Sequence, residues 1–209
     1  MAEKFRFYAL WLCLVCIIVF AIQSFFPVVT DVLLLNQDSF IKFQVWRFVS
    51  AIFVHGGLVH LMYNLFALAL FGSMLEKFIG GKRFLWVFFL SGIIANIIAV
   101  NFYPASLGAS GAVYGILGAL VVIKPLMMVW AMGFPMPMFI AGVLWVLGGV
   151  FGLFDPTGNT GHIAHLGGIG VGFIIGIIFR ITRKKKIVPK IEINENNMRK
   201  WERSYVLRE

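Results

Sequence analysis

Residues 108–115 read GASGAVYG and lie between two long hydrophobic runs. The helix that begins here would cover residues 110–123, because Lys124 and Pro125 interrupt the apolar run. These 14 residues make a helix of about 21 Å, which is too short to cross a hydrocarbon core of about 30 Å. The chain leading into the helix must therefore dip into the membrane, where irregular backbone has to be buried in protein or line a water-filled cavity.

The composition places most of the chain in lipid. Hydrophobic residues make up 60% of the sequence and charged residues 13%, whereas a soluble domain carries about 25% charged residues. The net charge is +9, but the basic residues cluster at the ends of apolar runs and in the C-terminal tail. This is the pattern of a membrane protein, so we expect a lipid bilayer as partner and no nucleic acid.

Six apolar runs predict an all-α membrane protein, a six-transmembrane-helix bundle with a short central fourth helix. The first run has a basic start but no clear cleavage site after it, so we interpret it as a retained span and not a signal peptide. Residues 1–182 form the predicted membrane domain, and 183–209 form a basic tail. The predicted spans cover about residues 7–26, 58–76, 84–103, 110–124, 134–154 and 161–180.

The distribution of basic residues predicts the topology. Six spans put both termini on one side, and 16 of the 18 Lys and Arg residues fall on that side, with Lys42 and Arg47 opposite. The positive-inside rule then makes both termini cytoplasmic in a multi-pass cell-membrane protein. Residues 27–54 become a long external segment, which we expect to lie along the outer interface with Trp46 and Arg47 as anchors or packing elements.

Ser110 is predicted at the start of the short helix, on the floor of a pit that opens to the extracytoplasmic side. The first backbone N–H groups of a helix lack intrahelical acceptors, and the helix dipole favours negative charge there. An oxyanion would be stabilised at such a place. A serine that merely caps the helix fits the same pattern, so this segment alone leaves both interpretations open.

Histidines supply the base that a serine nucleophile needs. All four fall at the outer ends of the second and sixth spans, and none lies in a cytoplasmic loop or the tail. A histidine inside a membrane span is costly and is a candidate functional residue. The four are His55, His60, His162 and His165.

A glycine stripe on the sixth span would bring His165 to Ser110. Such a face has no side chains, so a partner helix can approach closely, and the fourth span carries a matching stripe. Tyr114, one turn below the serine, would then lie beside the imidazole and hold its ring. The stripes consist of Gly168, Gly172 and Gly176 on the sixth span and of Gly111, Gly115 and Gly118 on the fourth.

His60 and Asn64 lie four residues apart, on one face of the second span. Both side chains can donate a hydrogen bond to a developing oxyanion, although they could instead bridge helices as structural polar residues. Asp155 is the acid nearest this region and lies in a short external turn. We predict that Asp155 is a turn former and that the serine and histidine form a dyad without it.

Together these motifs resemble the rhomboid family of intramembrane serine proteases, over about residues 1–180. GASG followed by Tyr114 resembles the nucleophile motif, AHLGG the general-base motif, and HGGLVHLMYN the paired histidines and asparagine of the second span. Trp46 and Arg47 resemble the WR of the first external loop, and Glu76 resembles the acid that closes the second span.

The resemblance implies a role for each candidate residue. Ser110 would be the nucleophile and His165 the general base, with no cofactor and no metal. His60, Asn64 and the backbone N–H of Ser110 would form the oxyanion hole. The residues expected to support this site are Tyr114, His55, Gly108 and Gly111.

The resemblance also implies single-pass transmembrane proteins as substrates, cut in or near the membrane segment. Substrate access would involve the fifth span and the loop before the sixth. The chain looks like the minimal six-span prokaryotic form, and a homodimer stays open as its oligomeric state. Two alternatives remain: a metal site built from the four histidines, although no HExxH is present, and a transporter or inactive binding protein, although no internal repeat is visible.

Overall fold

The computed structural model describes residues 6–154, 161–182 and 194–205. Within these ranges, four helices are long and apolar enough to cross a membrane, and two further apolar helices are shorter. The predicted all-α membrane bundle is confirmed, with two small two-stranded antiparallel sheets added to it. The long helices are Tyr8–Phe25, Leu58–Ile79, Gly81–Ala99 and His162–Thr182, and the shorter ones are Ser110–Ile123 and Met138–Gly152.

Short elements connect the apolar helices. In chain order the elements are α1 (Tyr8–Phe25), α2 (Val28–Leu33), β1 (Leu35–Asn36), α3 (Asp38–Ile41), α4 (Arg47–Ser50), α5 (Leu58–Ala67), a π-helical turn (Leu68–Gly72), α6 (Ser73–Ile79), α7 (Gly81–Ala99), β2 (Ala105–Ser106), α8 (Ser110–Ile123), β3 (Met128–Ala131), β4 (Phe134–Pro137), α9 (Met138–Gly152), α10 (His162–Thr182) and α11 (Glu195–Tyr205).

The segment between α1 and α5 is structured, as its length predicts. Arg47 is buried, and its Nη1 donates to the carbonyl oxygens of Asp31 and Leu34, both at 2.6 Å. Trp46 is half-exposed, with its indole N–H 3.4 Å from the carbonyl oxygen of Val32. Arg47 therefore ties α4 to the end of α2, and Trp46 lies at the surface of this packed segment.

The second apolar helix runs on past the predicted residue 76. It includes the π-helical turn and ends before Gly80, whose φ of 87° breaks the helix. Glu76 is buried, and its carboxylate accepts hydrogen bonds from the backbone N–H groups of Arg6 and Ala9, both at 3.1 Å. The last turn of this helix thus satisfies the N–H groups that the start of α1 leaves without helical acceptors.

The third and fifth spans begin and end differently from the prediction. The third, α7, covers Gly81–Ala99 and not 84–103, since basic residues at its start continue the helix and the chain turns ahead of Pro104. The fifth, α9, begins at Met138, because the predicted first residues form β4, which pairs with β3. Gly133 at φ 89° makes the turn, and the two prolines of β4 lack the N–H that a helix needs.

Helix α8 lies at the centre of the bundle, as its shortness predicts. It begins at Ser110, and ten of its 14 residues are buried. The glycine stripes of α8 and α10 face each other at backbone contact. A Cβ at Gly168 would overlap the carbonyl oxygen of Gly111, and one at Gly172 would overlap that of Gly115. This approach brings together the two helices that carry the serine and the histidine.

Candidate active site

Ser110 and His165 are hydrogen-bonded. The serine is the first residue of α8, and the histidine lies in the first turn of α10. Their Oγ and Nε2 atoms are 2.7 Å apart, which is a normal hydrogen-bond distance between a hydroxyl and an imidazole nitrogen. For Nε2 to accept the serine proton, the neutral imidazole must carry its own proton on Nδ1.

Tyr114 orients the imidazole of His165. The two rings are stacked, with centroids 4.3 Å apart and planes at 10°. The Nδ1 atom of His165 is buried, and it has no hydrogen-bond partner among the described residues. Asp155, which we predict to take no part in a dyad, lies outside the residues that the structure describes.

A cavity of about 940 Å³ opens over the serine and the histidine. The side chains predicted for the oxyanion hole, His60 and Asn64, line it together with Tyr114. Where the structure is described, no Asp, Glu, Lys or Arg lines this cavity. A negative charge that develops there would therefore be stabilised by neutral donors and by the N-terminus of α8.

Gly108 and Gly111 allow the close packing around the serine. Gly108 has φ +113°, and a Cβ on it would lie 2.7 Å from Cε1 of His60, so a larger residue would be strained and would displace that ring. Its backbone N–H donates to the carbonyl oxygen of Ala51 at 2.9 Å. A Cβ on Gly111 would lie 2.5 Å from that of Ala95 in α7.

His60 and Asn64 share one face of α5, as predicted. One N–H of the Asn64 amide donates to the carbonyl oxygen of His60 at 2.9 Å, which fixes the amide and leaves its second N–H for another acceptor. The imidazole of His60 packs edge-on against that of His55, with ring centroids 5.2 Å apart. His60 is thus held between His55 and Gly108.

His55 lies beside His60 and does not line the cavity. Its Nδ1 lies 3.1 Å from the carbonyl oxygen of Phe53. Its backbone N–H donates to Oε1 of Gln23 at 3.1 Å, and Nε2 of Gln23 donates to its carbonyl oxygen at 3.3 Å. Burial, helped by the nearby His60, lowers the pKa of His55 to about 4, so this imidazole is neutral at physiological pH.

The histidines form two pairs and not one cluster. His55 contacts His60, and His162 lies edge-on to His165 with ring centroids 6.2 Å apart. Across the described ranges, no group of three or more His, Cys, Asp or Glu residues converges as metal ligands would. The described residues therefore do not provide the ligand set that the metal-site alternative requires.

Three polar side chains that hold the site were missed in the sequence. Gln23 of α1 pairs with the backbone of His55, and Asn96 of α7 donates to the carbonyl oxygen of Phe48 at 2.9 Å. Tyr103 accepts a hydrogen bond from the backbone of α10. For Gln23 and Asn96 the available signal was a polar residue inside an apolar span, which normally marks a specific partner.

Comparison with known proteins gives consistent matches. A sequence model described as Rhomboid domain matches residues 42–182. RHOMBOID-like protein 7 of Arabidopsis thaliana is 31% identical over 161 residues, which cover 75% of this chain and 48% of that protein. Rhomboid protease GlpG of Salmonella typhi is 26% identical over 185 residues, which cover 83% of this chain and 63% of that protein. The chain thus spans about half to two thirds of the length of these relatives.

Proposed function

This chain belongs to the rhomboid family, and from that membership we propose that it is an intramembrane serine endopeptidase. The hydrogen bond of 2.7 Å between Ser110 Oγ and His165 Nε2, on the floor of a cavity, carries the proposal. The name of the Salmonella relative, a rhomboid protease, supports the same activity. That the protein is a multi-pass membrane protein follows from its family and its apolar helices.

The proposed reaction is acyl transfer through a Ser–His dyad. His165 Nε2 takes the hydroxyl proton of Ser110 as Oγ attacks a peptide carbonyl, and the imidazolium then protonates the leaving amine. Water, deprotonated by the same imidazole, attacks the acyl-enzyme and releases the acid. Stacking on Tyr114 fixes the orientation of the His165 ring, and the buried Nδ1 of His165 holds the other ring proton throughout.

The oxyanion of the tetrahedral intermediate would be held by three donors. These are the backbone N–H of Ser110 at the start of α8, a ring N–H of His60 and the second amide N–H of Asn64. The observations that support this assignment are that all three residues line one cavity and that Asn64 is already fixed by its bond to the His60 carbonyl oxygen. Donors that are fixed beforehand need no reorganisation during the reaction.

The proposed substrates are single-pass membrane proteins, which reach the cavity from within the bilayer. The proposed route passes α9, an outer helix in which four of 15 residues are buried, compared with ten of 14 in the central α8. The cavity would open to the extracytoplasmic side with both termini cytoplasmic, because the basic residues lie almost entirely on the terminus side. The substrate helix must unwind locally to present a carbonyl.

Inhibitor selectivity tests this function. The purified protein in lipid vesicles should cleave a model single-span substrate, and a fluorophosphonate should stop the cleavage by phosphonylating the serine. A chelator should leave the rate unchanged. Cleavage that survives the fluorophosphonate and is lost with the chelator would contradict a serine mechanism and favour a metal enzyme.

Replacing either oxyanion donor should reduce kcat strongly. We expect His60→Ala and Asn64→Ala each to lower kcat by about 100- to 1000-fold, the usual effect of removing one such donor. The KM for the single-span substrate should change little, because the lost interaction forms in the transition state. Steady-state cleavage in vesicles measures both constants. A raised KM with unchanged kcat would instead assign these side chains to substrate binding.

A further inference from the structure

Tyr103 lies between the two halves of the candidate site. It follows α7 and precedes β2, the strand from which the chain continues to Ser110. Its ring packs against a small cluster of buried alanines from α7 and α10, and it lines the same cavity as the serine and the histidine. The alanines are Ala95, Ala99 and Ala164.

The tyrosine hydroxyl is bonded to the first turn of α10. The backbone N–H of Ile163 donates to Tyr103 Oη at 3.2 Å. The first N–H groups of a helix have no acceptor within the helix, so the hydroxyl satisfies one of them. The fixed turn ends at His165, two residues beyond Ile163.

The tyrosine ring braces the same turn from a second direction. The ring packs against the alanine cluster that includes Ala164, the residue before His165, and a Cβ built on Gly161 would lie 3.8 Å from Cε2 of Tyr103. The carbonyl oxygen of Gly161 accepts the backbone N–H of His165 at 3.0 Å. The hydroxyl of Tyr103 thus binds the backbone of the turn that carries the histidine, and its ring packs against a side-chain cluster that includes Ala164 of that turn.

We propose that Tyr103 is a positioning residue for the Ser110–His165 pair, because it joins the segment leading to Ser110 with the turn that carries His165. This inference rests on the proposed protease function. Tyr114 orients the imidazole ring by stacking, whereas Tyr103 fixes the backbone beneath it. The Tyr103 hydroxyl accepts its hydrogen bond from the backbone of α10, whereas Ser110 Oγ is bonded to His165 Nε2.

Tyr103→Phe removes the hydroxyl and keeps the ring. The matched control is Tyr8→Phe, because the Tyr8 hydroxyl also has a hydrogen bond, from Arg6 Nη1 at 3.4 Å, and Tyr8 lies at the opposite end of α7, against Gly81. Three quantities are compared for both variants and the wild type in vesicles or detergent. They are kcat and KM on the single-span substrate, the second-order rate of fluorophosphonate labelling of Ser110, and the thermal unfolding midpoint.

We expect Tyr103→Phe to lower kcat about three- to tenfold, because one neutral hydrogen bond is lost and the dyad geometry loosens. Fluorophosphonate labelling should slow by the same factor, since it reports serine activation without a transmembrane substrate. KM should stay within about twofold of the wild type. Tyr8→Phe should match the wild type in kcat and labelling.

Three results would overturn the inference. The first is unchanged kcat and labelling in Tyr103→Phe. The second is a raised KM with unchanged labelling, which would make Tyr103 a substrate contact. The third is loss of the thermal unfolding transition, which would make the hydroxyl a requirement of the fold. A wild-type protein that neither cleaves nor labels would be a failure of the proposed function itself. That failure is distinguishable, because it appears before any variant is compared.

Discussion

Ser110→Ala is expected to abolish cleavage of a single-span substrate. The hydroxyl is the atom hydrogen-bonded to His165 Nε2 at 2.7 Å, and no other side chain in a serine mechanism can form the acyl-enzyme. Removing the nucleophile of a serine protease typically costs about 10⁴-fold or more in kcat, so turnover should fall to the assay background. Gel or fluorescence assays with purified protein in vesicles measure it.

A serine elsewhere provides the matched control for this loss. Ser24→Ala makes the same chemical change in α1, where the hydroxyl donates only to the carbonyl oxygen of Phe20 at 2.9 Å. It should retain wild-type activity. If Ser110→Ala keeps more than about one hundredth of the wild-type rate, the nucleophile has been misassigned, since a true nucleophile leaves far less.

Gly172→Val should separate the two helices that carry the proposed dyad. A Cβ at Gly172 would overlap the carbonyl oxygen of Gly115, and a backbone atom cannot rotate away as a side chain can. Overpacking of this kind costs about 1–3 kcal/mol of folding free energy, occasionally more. For a chain of this size, a loss of about 3 kcal/mol lowers the unfolding midpoint by about 6–12 °C. A displacement of about 1 Å can lower the rate about 100-fold, so we expect the cleavage rate of Gly172→Val to fall by about 100-fold or more.

Gly170→Val controls for the residue change itself. Gly170 lies on the same helix, two residues away, and a Cβ there meets no atom within 4 Å. Both variants exchange glycine for valine inside α10, so their helix propensity changes are alike. Gly170→Val should keep its unfolding midpoint within about 3 °C and its activity. Equal behaviour of the two valine variants, by thermal unfolding and cleavage, would show that backbone contact between α8 and α10 is not required.

The packing of α8 on α10 could be predicted from the sequence because both helices carry glycines at helical spacing. Residues without side chains at helical spacing indicate close approach, and the short run after Ser110 fixes the depth of that helix. His60 and Asn64 were likewise predicted to share a face, because their four-residue spacing is a local property. Predictions that depend on local spacing needed no knowledge of the rest of the fold.

Helix ends were predicted less accurately, and the partners of Gln23 and Tyr103 were not predicted. The run before α9 was predicted as helix because a short apolar segment has the same hydropathy in a strand and in a helix. Pro135, Pro137 and Gly133 were the signal that β4 would form there instead. The partner of Gln23 is 32 residues away and that of Tyr103 is 60, and neither residue belongs to a spacing pattern, such as the glycine stripes, that indicates its partner.

Mass spectrometry of the fluorophosphonate adduct, in the wild type and in His165→Ala, measures the dyad most directly. An activated serine reacts with the reagent without any transmembrane substrate, so the adduct reports the chemistry of Ser110 alone. We expect a single phosphonyl group on the peptide containing residues 108–115 of the wild type, at Ser110, and almost none in His165→Ala at equal exposure. An adduct on another residue, or equal labelling of Ser110 without the histidine, would contradict a Ser110–His165 dyad.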